Sequence, residues 1–381
     1  MTAKPPLNFA QPQLDDATIA AVTEVMRSNW IASGQHVLAF EKELSTSFGN
    51  RPTRVLTSAT GALEVALQIC GIGPGYEVIT SAQSFFSTMN MIVKVGAKPV
   101  FVDCELESRA IDLAQVEAAI TPATRAIMPT HFPGALGDMD ALLALARKHG
   151  LRVIEDAAQA FGSSWGGKKI GAIGDMVSFS FHPNKNVTSI EGGALVLNNE
   201  EEAVLAQKYR LQGITRTGFD GMDCDVLGGK YNLTDVAARV GLGQLKHVAR
   251  FTEQRRELAR AYFEHFAGGA ALRTGVELPV RNFTDSNWHM FQIALPLEHL
   301  TLTRSEFMAQ MKERGIGTGV HYPALHLFTL YRARGFHEGM FPHAEKYGAS
   351  TVTLPLFTQM SHDDVARVVH AVNEICAATT K

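Results

Sequence analysis

Between about residue 53 and residue 200, short β-branched apolar runs alternate with amphipathic stretches, the sequence habit of parallel βαβ units. The runs predict strands at Glu77–Thr80, Pro99–Val102, Ala126–Pro129, Arg152–Glu155, Val177–Phe181 and Ala194–Leu197. Asp140 to His149 carries apolar positions at helical spacing and meets Gly150, a natural helix end. From Thr234 to about Phe266 the spacing predicts one helix uninterrupted by proline, roughly 50 Å long at the usual rise per residue and suited to bridging two domains. Beyond it come a strand expected over Trp288–Leu295, a helix over Arg304–Arg314, and a Gly-rich segment, Gly315-Ile316-Gly317-Thr318-Gly319. That segment leads into Val320-His321-Tyr322, and a terminal helix starts at His362. The expectation is an α/β chain with a large sheet domain over residues 1–250 and a smaller α+β domain over 251–381. The order of strands in the sheet does not follow from the pattern.

Composition narrows the class. A chain of 381 residues is too long for one small core. With 46% hydrophobic residues and a net charge of -3, it is an ordinary globular protein without the basic field that nucleic acid needs. The longest apolar runs are strand-length and Met1-Thr2-Ala3-Lys4-Pro5-Pro6 lacks a hydrophobic signal core, so no membrane span and a cytoplasmic location are expected. Cys70, Cys104, Cys224 and Cys376 are scattered without a Cys-x-x-Cys pair. This predicts reduced, mostly buried thiols and no metal site.

The candidate chemistry centres on Lys185. It follows the apolar run Ser178-Phe179-Ser180-Phe181 within a turn, His182-Pro183-Asn184-Lys185-Asn186, ahead of Glu191-Gly192-Gly193. A lysine becomes a useful Schiff-base nucleophile when its site lowers its pKa and a partner holds the carbonyl compound. Asp156 ends the run Arg152-Val153-Ile154-Glu155, at the carboxyl end of a strand, where open α/β sheets bind ligands. It can supply the anion that keeps a pyridinium protonated, with Gln159 about one helical turn later for a phenolic oxygen. By themselves the same two residues also read as a helix cap and a solvated glutamine. Val55-Leu56-Thr57-Ser58-Ala59-Thr60-Gly61 reads as strand, turn and helix start, an anion site in which Thr60, Gly61 and Ser180 are the donors to expect. Phe85 begins another helix, with core packing or stacking on a cofactor ring both open.

The order of these signals, together with Asn29-Trp30-Ile31-Ala32-Ser33-Gly34, Gly96-Ala97-Lys98-Pro99-Val100-Phe101-Val102-Asp103 and Lys230-Tyr231-Asn232-Leu233-Thr234-Asp235, resembles the DegT/StrS-type sugar aminotransferases over nearly the whole chain. These are enzymes of the pyridoxal phosphate (PLP)-dependent transferase fold type I. The resemblance implies a large, mainly parallel seven-stranded sheet domain, a smaller C-terminal domain and pyridoxal 5'-phosphate as cofactor. Lys185 would carry the cofactor's aldehyde as an imine and move protons, Asp156 would pair with the ring nitrogen, and Gln159 with the phenolic oxygen. Phe85 would stack on the ring, while Thr60, Gly61 and Ser180 hold the phosphate. A homodimer with shared active sites is implied, in which Asn232 reaches the other subunit's phosphate. The implied reaction moves an amino group from glutamate to a nucleotide-linked keto sugar, a step in polysaccharide or lipopolysaccharide biosynthesis. Within the family, Tyr231–Asp235 and Lys312–His321 look most like the enzyme making UDP-4-amino-4-deoxy-L-arabinose.

Lys230, His321 and Tyr322 are the substrate-side candidates; taken on its own, Lys230 reads more simply as a solvated surface lysine than as a contact to a donor carboxylate or nucleotide phosphate. His182 is expected to brace the lysine turn, and Glu200-Glu201-Glu202 to be a solvated helix start. Two other outcomes stay open on this scaffold: an aminated-ring synthase or sugar dehydratase, and a non-catalytic sensor. Dehydratases of this group commonly carry histidine at the lysine position, so Lys185 speaks against that branch.

Overall fold

The computed structural model describes residues 5–381, so the start of the chain read above as lacking a signal core lies, for Met1–Lys4, outside the described residues. Seven strands form the main sheet: β1 (Thr53–Leu56), β2 (Glu77–Ser81), β3 (Lys98–Val102), β4 (Thr124–Met128), β5 (Arg152–Asp156), β6 (Met176–Ser180) and β7 (Gly193–Val196). Their order is β1-β7-β6-β5-β4-β2-β3, parallel except that β7 runs antiparallel to both β1 and β6. Every residue of β6 and β7 is buried, as a sheet covered on both faces requires. All six predicted strands are present within a residue or two of their expected bounds.

The helices are α1 (Asp16–Arg27), α2 (Gln35–Ser47), α3 (Ala59–Ile69), α4 (Phe86–Lys94), α5 (Leu113–Ala118), α6 (Met139–His149), α7 (Glu200–Arg210), α8 (Asp235–Leu245), α9 (Val248–Phe266), and, among those that follow, α10 (Arg304–Glu313), α11 (Pro342–Ser350) and α12 (His362–Thr379). In α6, Asp138 accepts from the Ala141 N–H at 2.9 Å and Gly150 closes the helix at φ 65°, a left-handed conformation that suits glycine. Burial of Leu63, Ala66 and Leu67 places α3 under the sheet, carrying its N-terminus to the carboxyl end of β1.

Two expectations need correction. The single helix over residues 234–266 is two helices, broken at Lys246–His247. No proline or glycine stands at the break; packing imposes it. Helix α8 packs on α1 and α2, whereas α9 packs on α12, and His247 is held by Asp15 (Nε2 to Oδ2, 2.7 Å) where the direction changes. The strand expected over Trp288–Leu295 shortens to β10 (Phe291–Ala294), because Trp288 adopts φ 49° and Asn287 is tied instead to the carbonyls of Gln159 and Phe161, each at 2.9 Å. β10 pairs antiparallel with β11 (Thr351–Leu354), and residues from Leu258 to Cys376 form one apolar cluster around this ribbon. A separate ribbon, β8 (Ile214–Thr217) with β9 (Gly221–Cys224), leaves Phe219 and Met222 exposed.

Glu202 is also not simply solvated. It holds Arg152 (2.9 Å) and accepts from the Asn198 N–H, while Glu200 and Glu201 begin α7 in the open. The four cysteines are free; Cys104 and Cys376 are buried, Cys70 is half-buried and Cys224 is exposed. Among the described residues no helix is long and apolar enough to cross a membrane, and no group of three or more His, Cys, Asp or Glu is arranged to hold a metal ion.

Candidate active site

The lysine turn is built by its own backbone. After β6, the Lys185 N–H donates to the His182 carbonyl at 2.9 Å, and the Ser189 N–H and Thr188 hydroxyl both return to the Phe181 carbonyl. His182 braces the turn through Asn184 (2.8 Å). Asn186, buried, donates to the Asn287 carbonyl at 3.1 Å and meets His289 Nδ1 at 3.0 Å, which ties the turn to the C-terminal part of the chain. Among the described residues the Lys185 amine makes no hydrogen bond or ion pair. The residue as a whole is partly exposed, but its ammonium is desolvated enough for burial to lower its pKa to about 8, with the Asp156 carboxylate pulling it partly back.

Asp156 faces Lys185 from the neighbouring strand, where it stands in register with Ser178. It is buried, and its Oδ2 accepts from the Thr88 hydroxyl at 2.6 Å while Oδ1 accepts from the Ala158 N–H at 3.1 Å. The cap-like reading of Asp156 is therefore satisfied by one oxygen and a brace from α4 by the other. Thr88 is in turn bonded to Ser84 (2.8 Å). The next residue back, Glu155, is buried against His131 Nε2 at 2.7 Å, and the His131 N–H donates to the Asp156 carbonyl at 3.0 Å. Gln159 donates to the Tyr322 hydroxyl at 3.3 Å, which leaves its buried Oε1 without a partner.

The expected phosphate turn caps α3. Ser58 Oγ takes the Gly61 N–H at 3.0 Å, leaving the N–H groups of Ala59 and Thr60 without a side-chain cap at the helix's positive end. Gly193 lets β7 lie against this turn: a Cβ there would stand 2.3 Å from the Ser58 carbonyl carbon. Ser180 is buried at the end of β6 and accepts from the His182 N–H at 3.4 Å. Gly61 packs on the Tyr231 ring, whose hydroxyl bonds Glu64 (2.7 Å) and Lys94 (3.1 Å).

On the substrate side, Tyr322 meets the rings of Phe85 (5.0 Å between centroids) and Phe132 (5.7 Å). Burial, then the Asp156 carboxylate, raises the Tyr322 phenol well above its ordinary range. His321 is buried, stacked on Phe9 and bonded to Thr353 (2.8 Å); burial and then the Lys185 charge lower its pKa to about 4, so it is neutral at physiological pH. Phe85 is exposed at the N-cap of α4. Lys230 is exposed and donates to Asn232 Oδ1, while Asn232 Nδ2 donates to Ser33 Oγ at 2.7 Å. Within one chain, Lys230 and Asn232 thus engage each other and make no hydrogen bond to Lys185 or Asp156.

Thr88, Asn186 and His289 escaped the sequence reading. Thr88 is one hydroxyl on a helix read only for its aromatic start, and its spacing of three from Phe85 was the available signal. His289, fully buried with Nε2 unpaired and its pKa held well below the ordinary value by burial and then by Lys185, lies inside the run Trp288–Leu295 that the pattern reads as plain strand.

These groups fit pyridoxal phosphate. An unpaired amine faces a buried carboxylate, a buried amide oxygen lacks a partner, and a helix N-terminus with free N–H groups opens at the end of the same sheet.

Residues 12–373 match the family model described as the DegT/DnrJ/EryC1/StrS aminotransferase family. The Bacillus subtilis spore coat polysaccharide biosynthesis protein SpsC is 38% identical over 379 residues, covering 97% of each chain. Streptococcus pneumoniae Spr1654, described as a sugar aminotransferase and solved in its PLP form, superposes with a TM-score of 0.92 at 29% identity, covering 98% of this chain and 99% of its own. DesI, solved in the presence of its TDP-sugar product, gives a TM-score of 0.87 at 27% identity, covering 98% and 93%. On its sequence and fold together, this chain belongs to the DegT/DnrJ/EryC1/StrS family of aminotransferases.

Proposed function

We propose that the protein transfers an amino group from glutamate to a nucleotide-linked keto sugar. Its cofactor is pyridoxal phosphate, as in the Streptococcus relative solved in its PLP form. When bound, that group supplies an aldehyde to accept the amine and a ring that withdraws electrons from the carbon losing a proton. The nucleotide-sugar acceptor is supported by DesI, which was solved with a TDP-sugar product.

The observation that carries the reading is the unpaired Lys185 amine, depressed to about 8, beside the buried Asp156 carboxylate. An amine so poised is neutral in a large fraction of molecules near pH 8, where it attacks a carbonyl and takes or returns a proton at Nζ. Asp156, with Thr88 fixing one oxygen, would hold a proton on a ring nitrogen. Gln159 Oε1 and the Tyr322 hydroxyl would orient the ring's oxygen edge, Phe85 would cover its face, and Thr60, Gly61 and Ser180 would take the phosphate, the Gly61 N–H on release from Ser58 Oγ. Lys230, His321 and Tyr322 would line the acceptor's path.

Asn232 would complete the phosphate site of a second copy in a homodimer; the exposed Phe219, Met222 and Leu227 in the segment that precedes it support an apolar interface there. The apolar cluster that starts at Leu258 supports a domain boundary near residue 250. Four unbridged cysteines fit a cytoplasmic enzyme.

Mixing the purified holoprotein with glutamate should yield 2-oxoglutarate and the aminated cofactor, and adding TDP- or UDP-linked keto sugars should restore the starting spectrum. Amination by no amino acid would reject the aminotransferase reading, and amination without return by any keto sugar would reject the acceptor class.

A further inference from the structure

Arginines buried inside proteins are paired with carboxylates or carbonyls, since an unpaired buried cation costs several kcal/mol. Two of the buried arginines here obey this. Arg210 is held by Glu41 and by the Val55 carbonyl at 2.7 Å. Arg255 donates to the carbonyls of Leu356 (2.8 Å) and His289 (3.1 Å). Arg109 does not: the residue is 5% exposed, yet among the described residues its guanidinium makes no hydrogen bond and no ion pair. Its Nε is buried without a partner, as are the Nε atoms of Arg210 and Arg255; what sets Arg109 apart is that its terminal nitrogens have no partner either. The face of the guanidinium lies 4.1 Å from the Tyr347 ring centroid, so its flat side is covered and its N–H edge remains for a planar acceptor.

That edge borders a cavity of about 90 Å³, lined by Ser108, Pro133, Asn282, Ser286 and Trp288 as well as Arg109. The volume is several times the roughly 10–15 Å³ that one water needs on the same measure. No Asp or Glu is among the lining residues. A second buried donor, Trp288 Nε1, also lacks a partner. The backbone repeats the anomaly: Arg109 holds φ 62° and Trp288 φ 49°, both in the left-handed region that side chains other than Asn and Asp seldom adopt. Trp288 Nε1 and Arg109 Nε are themselves sealed off, so the terminal guanidinium nitrogens of Arg109 are the donors that can face the hole. The cavity is separate from the lysine site, and Phe132, which touches Tyr322, is followed directly by Pro133 of its wall.

We infer that this cavity is a binding site for a small oxyanion, a phosphate or carboxylate group, gripped by the edge of Arg109 with the Ser286 hydroxyl in reach of its rim. Bidentate capture by a guanidinium stacked on an aromatic ring selects a planar or tetrahedral oxyanion over a halide. The bound anion would join three segments at one point: the loop after β3, the loop after β4 and the stretch leading into β10.

The test is calorimetric titration of the pyridoxal-phosphate-loaded protein with inorganic phosphate and, separately, with acetate, at constant ionic strength set by chloride. Saturable binding of phosphate alone assigns a phosphate site, and of acetate a carboxylate site. Either should weaken about tenfold or more in Arg109→Met, which removes the bidentate, charge-assisted grip. Asn282→Asp is the companion variant. Asn282 Oδ1 already accepts from the Asp285 N–H at 2.8 Å, which a carboxylate can also do, so the turn is kept while a negative charge enters the wall. It too should abolish anion binding. Binding of neither anion above chloride, or undiminished binding in both variants, would overturn the proposal; the latter would place the anion at another site, such as one for a nucleotide phosphate.

Discussion

The floor of the candidate active site and the ribbon beside it are built on opposite terms. On the floor, Asp156 is held by Thr88, by the Ala158 N–H and by strand partners on both sides, and the lysine turn is tied to Asn287 and His289. These braces are contributed by the chain itself. In the ribbon of Ile214–Thr217 and Gly221–Cys224, with Leu227 just beyond, Phe219, Met222 and Leu227 lie open to solvent and pack on no core. The lysine turn and Asp156 are braced within a single copy of the chain; the ribbon has apolar surface and nothing of its own to cover it. The contrast teaches that the lysine and its carboxylate are fixed by the sheet, whereas the ribbon would be covered only in the proposed dimer.

The comparison is broken most forcefully at Lys185. Lys185→Ala should lower turnover by about 10⁴-fold or more, leaving the fold and the oligomeric state unchanged in circular dichroism and sedimentation. Asp156→Asn removes the anion but keeps the shape, and steady-state kinetics should show a loss of about 10²–10³-fold with no change in oligomeric state. The ribbon should behave in the reverse sense. Phe219→Ser with Leu227→Ser removes roughly 1.5–3 kcal/mol of burial per side chain if these residues are covered in a dimer, so sedimentation velocity should register monomer while Lys185 keeps its lowered pKa. A dimer unaffected by both substitutions would dissolve the contrast.

Thr88→Val sharpens it further. Losing a hydrogen bond to a buried carboxylate costs about 1.5–3 kcal/mol, to be read as a lower denaturation midpoint and about tenfold weaker cofactor retention. The smallest effect is on pH. Because the Lys185 pKa in the folded protein, about 8, lies below its unfolded value near 10.5, the unfolded chain binds more protons between those values. The cofactor-free protein should therefore gain stability as pH rises from about 8 to about 10.5, a slope that Lys185→Met should reduce in urea titrations.

Much of this was legible in the residues. Strand–turn–helix punctuation located β1 to β7, and Asp156 at a strand end with Lys185 after another follows from where α/β sheets place ligands. What the pattern hid is cooperative. The helix over residues 234–266 reads as continuous because nothing local at Lys246 or His247 opposes helix; only two cores pulling on its two halves divide it. The strand at Trp288 reads as longer because an aromatic run has strand propensity, whereas Asn287 is captured by carbonyls 126 and 128 residues away in sequence. Thr88 is unremarkable in sequence and acquires meaning only when α4 is laid beside β5. Arg109 was equally silent, since a lone arginine in a loop shows no sign of burial.

The most direct test of the central claim is reduction of the holoprotein with borohydride followed by peptide mapping. A single pyridoxyl-modified peptide carrying the adduct on Lys185 is expected, absent after prior treatment with glutamate. An adduct on another lysine, or none in a protein that still transaminates, would contradict it.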